Sequence, residues 1–346
     1  MSENIIHGGV KWQSPSNIAI VKYWGKRPGM TQIPQNPSVS FTLSKCSTKT
    51  AVFYEASDRF GLHFRFDGKE NPEFQTKIAE FLKNQMPIFP FLNEMDLHIT
   101  SHNTFPHSSG IASSASSMSA LVMCLLDIER ELNGERDINM EKASQLSRLA
   151  SGSACRSVCP KMALWGATES FQGSSDEYAV SLENEIHPVF KTYHDSILIV
   201  SDAKKAVSSR AGHALMDSNP YAEVRYRQAR EHTSSLLEVL KSGDLDMFCR
   251  ITESEAMQLH ALMMCSEPSF ILMKPNTLRI INTIYEFRKE TDIPVCFTLD
   301  AGPNVHILYP DHDAELVERF IMDELERYCV DGKWIADRVG EGPSKY

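Results

Sequence analysis

The strongest constraint on the fold lies in residues 96–132. An alternating segment (96–100), a polar loop and a long stretch with apolar residues at helical spacing follow one another there. Within 113–132, Met118, Leu121, Val122, Leu125 and Leu126 form one stripe, and Asn133 with Gly134 supplies a stop signal. A strand, a loop and an amphipathic helix in this order must lay the helix on a sheet, so layered domains of mixed α and β structure are expected. The loop ends in Pro106, His107, Ser108, Ser109, Gly110, Ile111 and Ala112, and Ser113 and Ser114 open the helix. Small residues let a ligand approach the backbone, and the unpaired first-turn N–H groups of a helix favour a phosphate. The serine hydroxyls of Ser113 and Ser114 can also approach a magnesium ion. The simpler alternative is that Ser113 only caps the helix. No lysine follows the glycine, so this is not a GxxxxGK[ST] loop and positive charge must come from elsewhere.

The rest of the chain extends this alternation. Residues 50–55 and 62–66 read as short strands, the second followed by the hairpin-type turn Asp67-Gly68. A helix is expected over 139–150 and a buried strand over 196–201. Helices follow at 220–240, 244–264 and 276–290, then strands at 295–299 and 305–309, and a last helix at 314–328. A length of 346 residues suits two domains. The boundary is placed near 190, giving domains 1–190 and 191–346, the second an α+β sandwich with a cleft between them. Thirty-five Lys and Arg against forty-five Asp and Glu leave a net charge of −10, which excludes a nucleic-acid partner that needs a basic face. No apolar run reaches the length of a membrane span. The eight cysteines show no paired or zinc-like spacing, which fits reduced thiols in the cytoplasm.

Four clusters hold the candidate chemistry. Asn17 opens an apolar run that ends in Lys22, Tyr23, Trp24, Gly25, Lys26 and Arg27. Strand alternation puts Lys22 and Trp24 on one face and Tyr23 on the other. A lysine beside such a run is costly unless it meets a carboxylate or a ligand. The second cluster, Ser151, Gly152, Ser153, Ala154, Cys155, Arg156 and Ser157, surrounds one arginine with small residues, so that a guanidinium can grip a carboxylate; a surface arginine at a helix end is the alternative. In the third, Asp300 ends an apolar strand before Ala301, Gly302, Pro303 and Asn304, either as a turn former or as a base on a substrate hydroxyl. The phosphate loop is the fourth. His98 and His102 are four apart in a strand-to-loop segment, a spacing that does not aim both at one metal. The methionines in 257–264 read as helix packing. Lys204, Lys205, Ser208, Ser209 and Arg210 form either a basic lip over the cleft or a solvated loop.

Taken together, these clusters resemble one family. Pro106, Gly110, Ala112, Ser113 and Ser114 are similar to the phosphate loop of the GHMP kinases. The runs Lys22-Tyr-Trp-Gly-Lys26 and Ser151-Gly-Ser-Ala-Cys-Arg-Ser157, with Asp300 to the C-terminal side, resemble the mevalonate diphosphate decarboxylases within that superfamily. The resemblance implies a two-domain fold: an N-terminal α/β domain with a left-handed βαβ-type phosphate-binding unit, a C-terminal ferredoxin-like α+β sandwich, and the active site between them. It also implies ATP and Mg2+ as cofactors, a homodimer, and decarboxylation of mevalonate 5-diphosphate to isopentenyl diphosphate. On this resemblance Asp300 deprotonates the substrate hydroxyl with Lys22 beside it, and Ser153 and Arg156 hold the carboxylate. Asn17, Tyr23, Trp24, Lys26, Ser151, Ser209 and Arg210 bind the rest of the substrate, and Ser108, Ser109, Gly110, Ala112, Ser113 and Ser114 bind ATP and its metal. The family often carries a basic residue for the terminal phosphate in the segment that here runs 68–77, and no arginine stands there. Lys69 or Lys77 is the available substitute. A 5-monophosphate substrate, a 3-kinase that stops after phosphoryl transfer, and a non-catalytic ligand sensor are the competing readings.

Overall fold

The computed structural model describes residues 7–106, 111–203 and 209–346, the last range without the side chains of Ser209 and Arg210. The chain opens on β1 (His7–Val21) and β2 (Ser38–Ala56), followed by β3 (Gly61–Phe66), β4 (Lys69–Glu70), α1 (Pro72–Gln85), β5 (Met95–Asn103), α2 (Ser113–Asn133), α3 (Met140–Ala150), β6 (Met162–Trp165) and β7 (Ala179–Ser181). The strands form one sheet in the order β4-β3-β5-β2-β1, with β6 and β7 branching from β2. Asp67 and Gly68 adopt positive φ in the β3–β4 hairpin, as their sequence signals. Gly134 closes α2 in the left-handed region. The stripe of α2 buries Leu121, Val122, Leu125 and Leu126 on the sheet with Val52, Leu97 and Ile99.

The second part contains α4 (Pro188–Lys191), β8 (His194–Leu198), α5 (Ser209–Ala214), α6 (Ala222–Ser242), α7 (Leu245–Met264), α8 (Pro275–Thr291), β9 (Cys296–Thr298), β10 (Val305–Tyr309), α9 (Ala314–Phe320), β11 (Trp334–Arg338) and β12 (Ser344–Lys345). Its antiparallel sheet has the order β11-β8-β10-β9. This is the expected α+β architecture with two sheets. The sequence expectation does not include α1, β6, β7 or β11, and further details differ from it. β1 and β2 are far longer than their apolar segments, because Ser14, Ser16, Ser40, Thr48 and Thr50 are fully or nearly buried polar residues that hide the pattern. The expected helix 314–328 gives way after Phe320 to a π turn (Ile321–Leu325) and a 3-10 turn (Glu326–Tyr328). Of the methionines in 257–264, Met263 is buried while Met257 and Met264 are exposed.

The two parts share core. Ile18, Phe41 and Leu164 pack with Phe190, Tyr193, Leu236 and Phe248. The last residues return to the first sheet, where β12 pairs with β1 and Lys345 Nζ lies 2.8 Å from Asp127 Oδ2. Helices α6 and α7 are thereby held against the end of β1, which sets up the site.

Candidate active site

β1 runs out at Val21, so the next residues leave a strand whose neighbours are core and are themselves drawn inward. Lys22 is 2% exposed, and its Nζ lies 3.1 Å from Asp300 Oδ1. The carboxylate partner demanded by its apolar setting is therefore the aspartate that follows β9. Burial lowers the Lys22 pKa, and Asp300 and Glu255 oppose that shift. The peptide of Lys22 is gripped as firmly. Its N–H donates to Glu255 Oε2 at 2.8 Å, and its carbonyl accepts from Asn36 Nδ2 at 3.1 Å and Arg225 Nη2 at 3.4 Å. Glu255 stands on the α7 stripe that buries Thr252, Ala256 and Leu259, and Arg225 on the α6 stripe with Ala222, Tyr226 and Ala229. Arg225 donates to both Glu255 oxygens, at 2.7 and 2.6 Å, and His232 Nδ1 lies 2.6 Å from Oε1. Burial pushes the Glu255 carboxyl up, but Arg225, His232 and the Lys22 N–H outweigh it and hold it at about 2.

Asp300 has a partly exposed side chain. Its carbonyl accepts from the Gly302 N–H at 2.7 Å and from His260 Nε2 at 3.1 Å. Burial holds His260 at about 4, so it donates there as a neutral ring at pH 7.

Arg156 lies in a 3-10 segment, Gly152–Val158, that follows α3. It is 3% exposed, which removes the surface-arginine alternative. Its Nη1 donates to Ser38 Oγ at 2.7 Å, and its Nε and Nη2 donate to Asn17 Oδ1 at 3.3 and 3.2 Å. The other end of the Asn17 amide donates to Ser157 Oγ and the Ser153 carbonyl. Asn17 is thus occupied in orienting Arg156. Among the described residues the guanidinium has neutral hydrogen-bond partners only, although a buried cation is stabilised chiefly by charge. Lys22, Arg156 and Arg225 against Asp300 and Glu255 leave this buried cluster one positive charge in excess.

Lys22 and Trp24 turn towards the C-terminal half and Tyr23 towards Trp165, following the expected alternation. The Tyr23 ring meets Trp165 edge-on at 4.6 Å, and its hydroxyl, pushed to high pKa by burial, has no hydrogen-bond partner among the described residues. Trp24 is core, packed with Met216, Leu259 and Leu262. His213 sits against both rings and accepts from the Gly25 N–H at 3.0 Å, neutral because burial, then Lys26 and Arg156, hold it at about 3. Lys26 is half-buried and bridges to Pro34.

At the start of α2 the cap position belongs to Ala112, in the left-handed region and without a side-chain hydrogen bond. Ser113 does not cap the helix; the Ala115 N–H is satisfied by the Ala112 carbonyl at 2.8 Å, which leaves the N–H groups of Ser113 and Ser114 available to an anion. Ser151 Oγ donates to Ser114 Oγ at 3.4 Å, which joins the helix start to the Arg156 segment. Uncapped amides with adjacent hydroxyls fit a nucleotide phosphate and its magnesium ion. Ser108, Ser109 and Gly110 lie outside the described residues, as do Lys204, Lys205, Ser208 and the side chains of Ser209 and Arg210. Lys77 pairs with Glu73 on the exposed face of α1. Lys69 lies in β4, four strand positions from β1, or about 19 Å. Sequence reading missed Glu255, Arg225, His232, Ser38, Asn36, His213 and His260. For Glu255 and Arg225 a signal exists, a charged residue inside an otherwise apolar helical stripe.

Comparison with known proteins follows the same division. Residues 14–179 match a diphosphomevalonate decarboxylase-like N-terminal domain, and residues 196–338 match a mevalonate 5-diphosphate decarboxylase C-terminal domain. A diphosphomevalonate decarboxylase of Ganoderma lucidum is 31% identical over 328 residues, covering 89% of this chain and 80% of its own. A solved protein designated MDDEF, in complex with MVAPP, AMPPCP and magnesium, superposes with a TM-score of 0.82 at 27% identity, over 99% of both chains. A mevalonate diphosphate decarboxylase of Legionella pneumophila gives a TM-score of 0.80 at 29% identity, over 95% of this chain and 100% of its own.

Proposed function

Because the chain belongs to the diphosphomevalonate decarboxylase family, we propose that Asp300, Lys22 and Arg156 carry out the ATP-dependent decarboxylation of mevalonate 5-diphosphate. The products are isopentenyl diphosphate, ADP, phosphate and CO2. One observation carries the assignment of residues: a buried arginine with neutral hydrogen-bond partners stands near a partly buried carboxylate that is paired with a buried lysine.

Asp300 Oδ takes the proton of the 3-hydroxyl, and the freed oxygen attacks the γ-phosphorus of ATP. Lys22 holds Asp300 in place and supplies its counter-charge. Magnesium with ATP would supply the activated phosphoryl group, which the start of α2, at Ala112, Ser113 and Ser114, would hold; the family resemblance adds Ser108, Ser109 and Gly110. The C3–O bond then breaks and phosphate leaves. The electron pair of the bond to the carboxylate forms the new double bond, and CO2 departs. Arg156, with Ser153 beside it, holds that carboxylate in line, and Asn17 and Ser38 fix the guanidinium. Tyr23, Lys26 and Ser151 would contact the diphosphate, as would Ser209 and Arg210 on the family resemblance alone, and Trp24 is part of the core beside them. We assign Lys69 and Lys77 no role in it.

The test is a product balance. With mevalonate 5-diphosphate, ATP and Mg2+, equal amounts of ADP, phosphate and CO2 are expected; ADP with an accumulating 3-phosphorylated product would show a kinase, and faster turnover of the 5-monophosphate would move the substrate assignment. Asp300→Ala should keep nucleotide binding and lose turnover by about 100- to 10,000-fold; near-normal turnover would remove Asp300 from the chemistry. The same reading takes the N-terminal part, to about residue 190, as the nucleotide-binding domain, and places a homodimer in the cytoplasm. The free cysteines support a reducing compartment, and among the described residues no helix is long and apolar enough to cross a membrane. Light scattering of the purified protein tests the dimer.

A further inference from the structure

Outside the active site, one cluster of ligating side chains has no part in the chemistry above. β3 and β5 run parallel with His63 opposite His98 and Gly61 opposite Asp96. Leu97 and Ile99 turn to the core under α2, so Asp96, His98 and His63 lie on the other face of the sheet. His63 Nε2 and His98 Nε2 lie 3.5 and 3.8 Å from the same Asp96 oxygen, Oδ2. The two imidazoles stack at 4.5 Å and 15°, and one ligand atom from each of the three side chains falls within 4.8 Å of the others. Sequence spacing pointed to His98 and His102 and away from a metal. The structure pairs His98 with a histidine 35 positions earlier, brought beside it by the parallel register.

We propose that His63, Asp96 and His98 form a binding site for a zinc-class divalent cation. Two neutral imidazoles and one carboxylate suit Zn2+ or Co2+ better than magnesium, which prefers an all-oxygen shell. Bonds of about 2.0–2.2 Å in a tetrahedron place ligand atoms about 3.3 Å apart. The two histidine–aspartate separations of 3.5 and 3.8 Å need to close by only a few tenths of an ångström, and the remaining separation, within 4.8 Å, closes by rotation of the two half-exposed imidazoles. Gly61 is part of the design: a Cβ there would meet Asp96 Oδ1 and push the carboxylate away from the histidines. That Oδ1 is buried and has no hydrogen-bond partner among the described residues, so the charge of Asp96 is poorly satisfied until a cation reaches Oδ2. Glu55 on β2 stands opposite Asp96 on the same face and adds negative potential. Three protein ligands leave a position for water. The metal would tie β3, which pairs outward only with two-residue β4, onto β5.

Tag-free, EDTA-treated protein without nucleotide is titrated with ZnCl2 by calorimetry and with CoCl2 by visible absorption. One equivalent should bind, with d–d bands of a four- or five-coordinate Co2+ site, and the amides of residues 61–66 should exchange more slowly with zinc present. His63→Ala, His98→Ala and Asp96→Asn should each weaken binding by at least about tenfold. All three positions are partly or largely exposed, so equal melting of variants and wild type in EDTA verifies that they fold, and His63→Gln is the milder replacement if His63→Ala does not. No stoichiometric zinc binding by wild type would overturn the proposal. Binding that survives the three replacements would also overturn it, by assigning the metal to other groups such as the exposed Cys265 thiol.

Discussion

Glu255→Gln is the substitution that most directly tests how the active site is held. The side chain is fully buried and accepts hydrogen bonds from Arg225, His232 and the Lys22 N–H. Burial alone would raise its pKa; Arg225 and the hydrogen bonds bring it to about 2, against the 4.5 of an unperturbed glutamate. A carboxyl held that low contributes about 3 kcal/mol at neutral pH. Because the folded-state pKa lies below the unfolded one, that contribution is complete above pH 4.5 and is lost as the pH falls through about 2. An independent guide is that removing one partner of a buried pair costs about 3–5 kcal/mol, since Arg225 keeps its charge without compensation. Glutamine matches the shape but turns an amide donor towards existing donors. Denaturant unfolding at pH 7, followed by tryptophan fluorescence, should therefore show a loss of about 3–5 kcal/mol, narrowing as the pH is lowered from 4.5 towards 2. Glu255 is also one of the charges that raise the Lys22 pKa, so its removal lowers that pKa further and moves the alkaline limb of kcat/KM to lower pH. Glu315→Gln, an exposed control, should change stability by no more than about 0.5 kcal/mol. A Glu255→Gln protein within about 1 kcal/mol of wild type, a gap well below the cost of breaking a buried pair, with an unmoved alkaline limb, would refute the reasoning.

Arg156→Lys keeps the charge and loses the fork that spans Asn17 and Ser38; at about 1.5–3 kcal/mol for a charged hydrogen bond, kcat/KM should fall by about 10- to 100-fold. Unchanged steady-state kinetics would show that the fork is dispensable. Gly25→Ala places a Cβ at φ +104° and against the Tyr226 hydroxyl, which should cost about 1–3 kcal/mol in thermal or denaturant unfolding; a melting curve like that of wild type would mean that the turn relaxes freely.

Sequence reading was most complete where chemistry and periodicity coincide. The α2 stripe, the Asp67-Gly68 turn and the Gly134 stop are local signals, and each was realised because tertiary packing agrees with it. The buried pairing of Lys22 followed from one cost, a lysine beside an apolar run, although the partner lay 278 positions away. What escaped was polar structure inside apolar elements. The length of β1 and β2 is concealed by buried serines and threonines that satisfy one another, as in the Thr48–Ser116 hydroxyl pair at 2.6 Å. Glu255 and Arg225 look like ordinary helix charges until α6 and α7 are packed together. The metal-ligand cluster depends on the parallel register of β3 and β5, which no local pattern encodes.

The charge count at the site explains how its parts divide the work. Over the whole chain acids exceed bases and the net charge is −10, yet at the end of β1 three buried cations face two carboxylates. The excess belongs to Arg156, because Lys22 has Asp300 and Arg225 has Glu255. On the proposed assignment a substrate carboxylate would complete the set, so Arg156 would bind most strongly before the carbon–carbon bond breaks. That carboxylate becomes neutral CO2 as the reaction proceeds, and the attraction disappears with it. Arg156 therefore favours the ground state and contributes alignment rather than transition-state charge stabilisation. On the same assignment acceleration would arise at the other end of the reacting unit, where Asp300 and Lys22 would help turn a poor hydroxyl leaving group into a phosphate. The loss of charge also favours release of CO2: once it has formed and the anionic products have left, the excess positive charge would again draw in the next substrate.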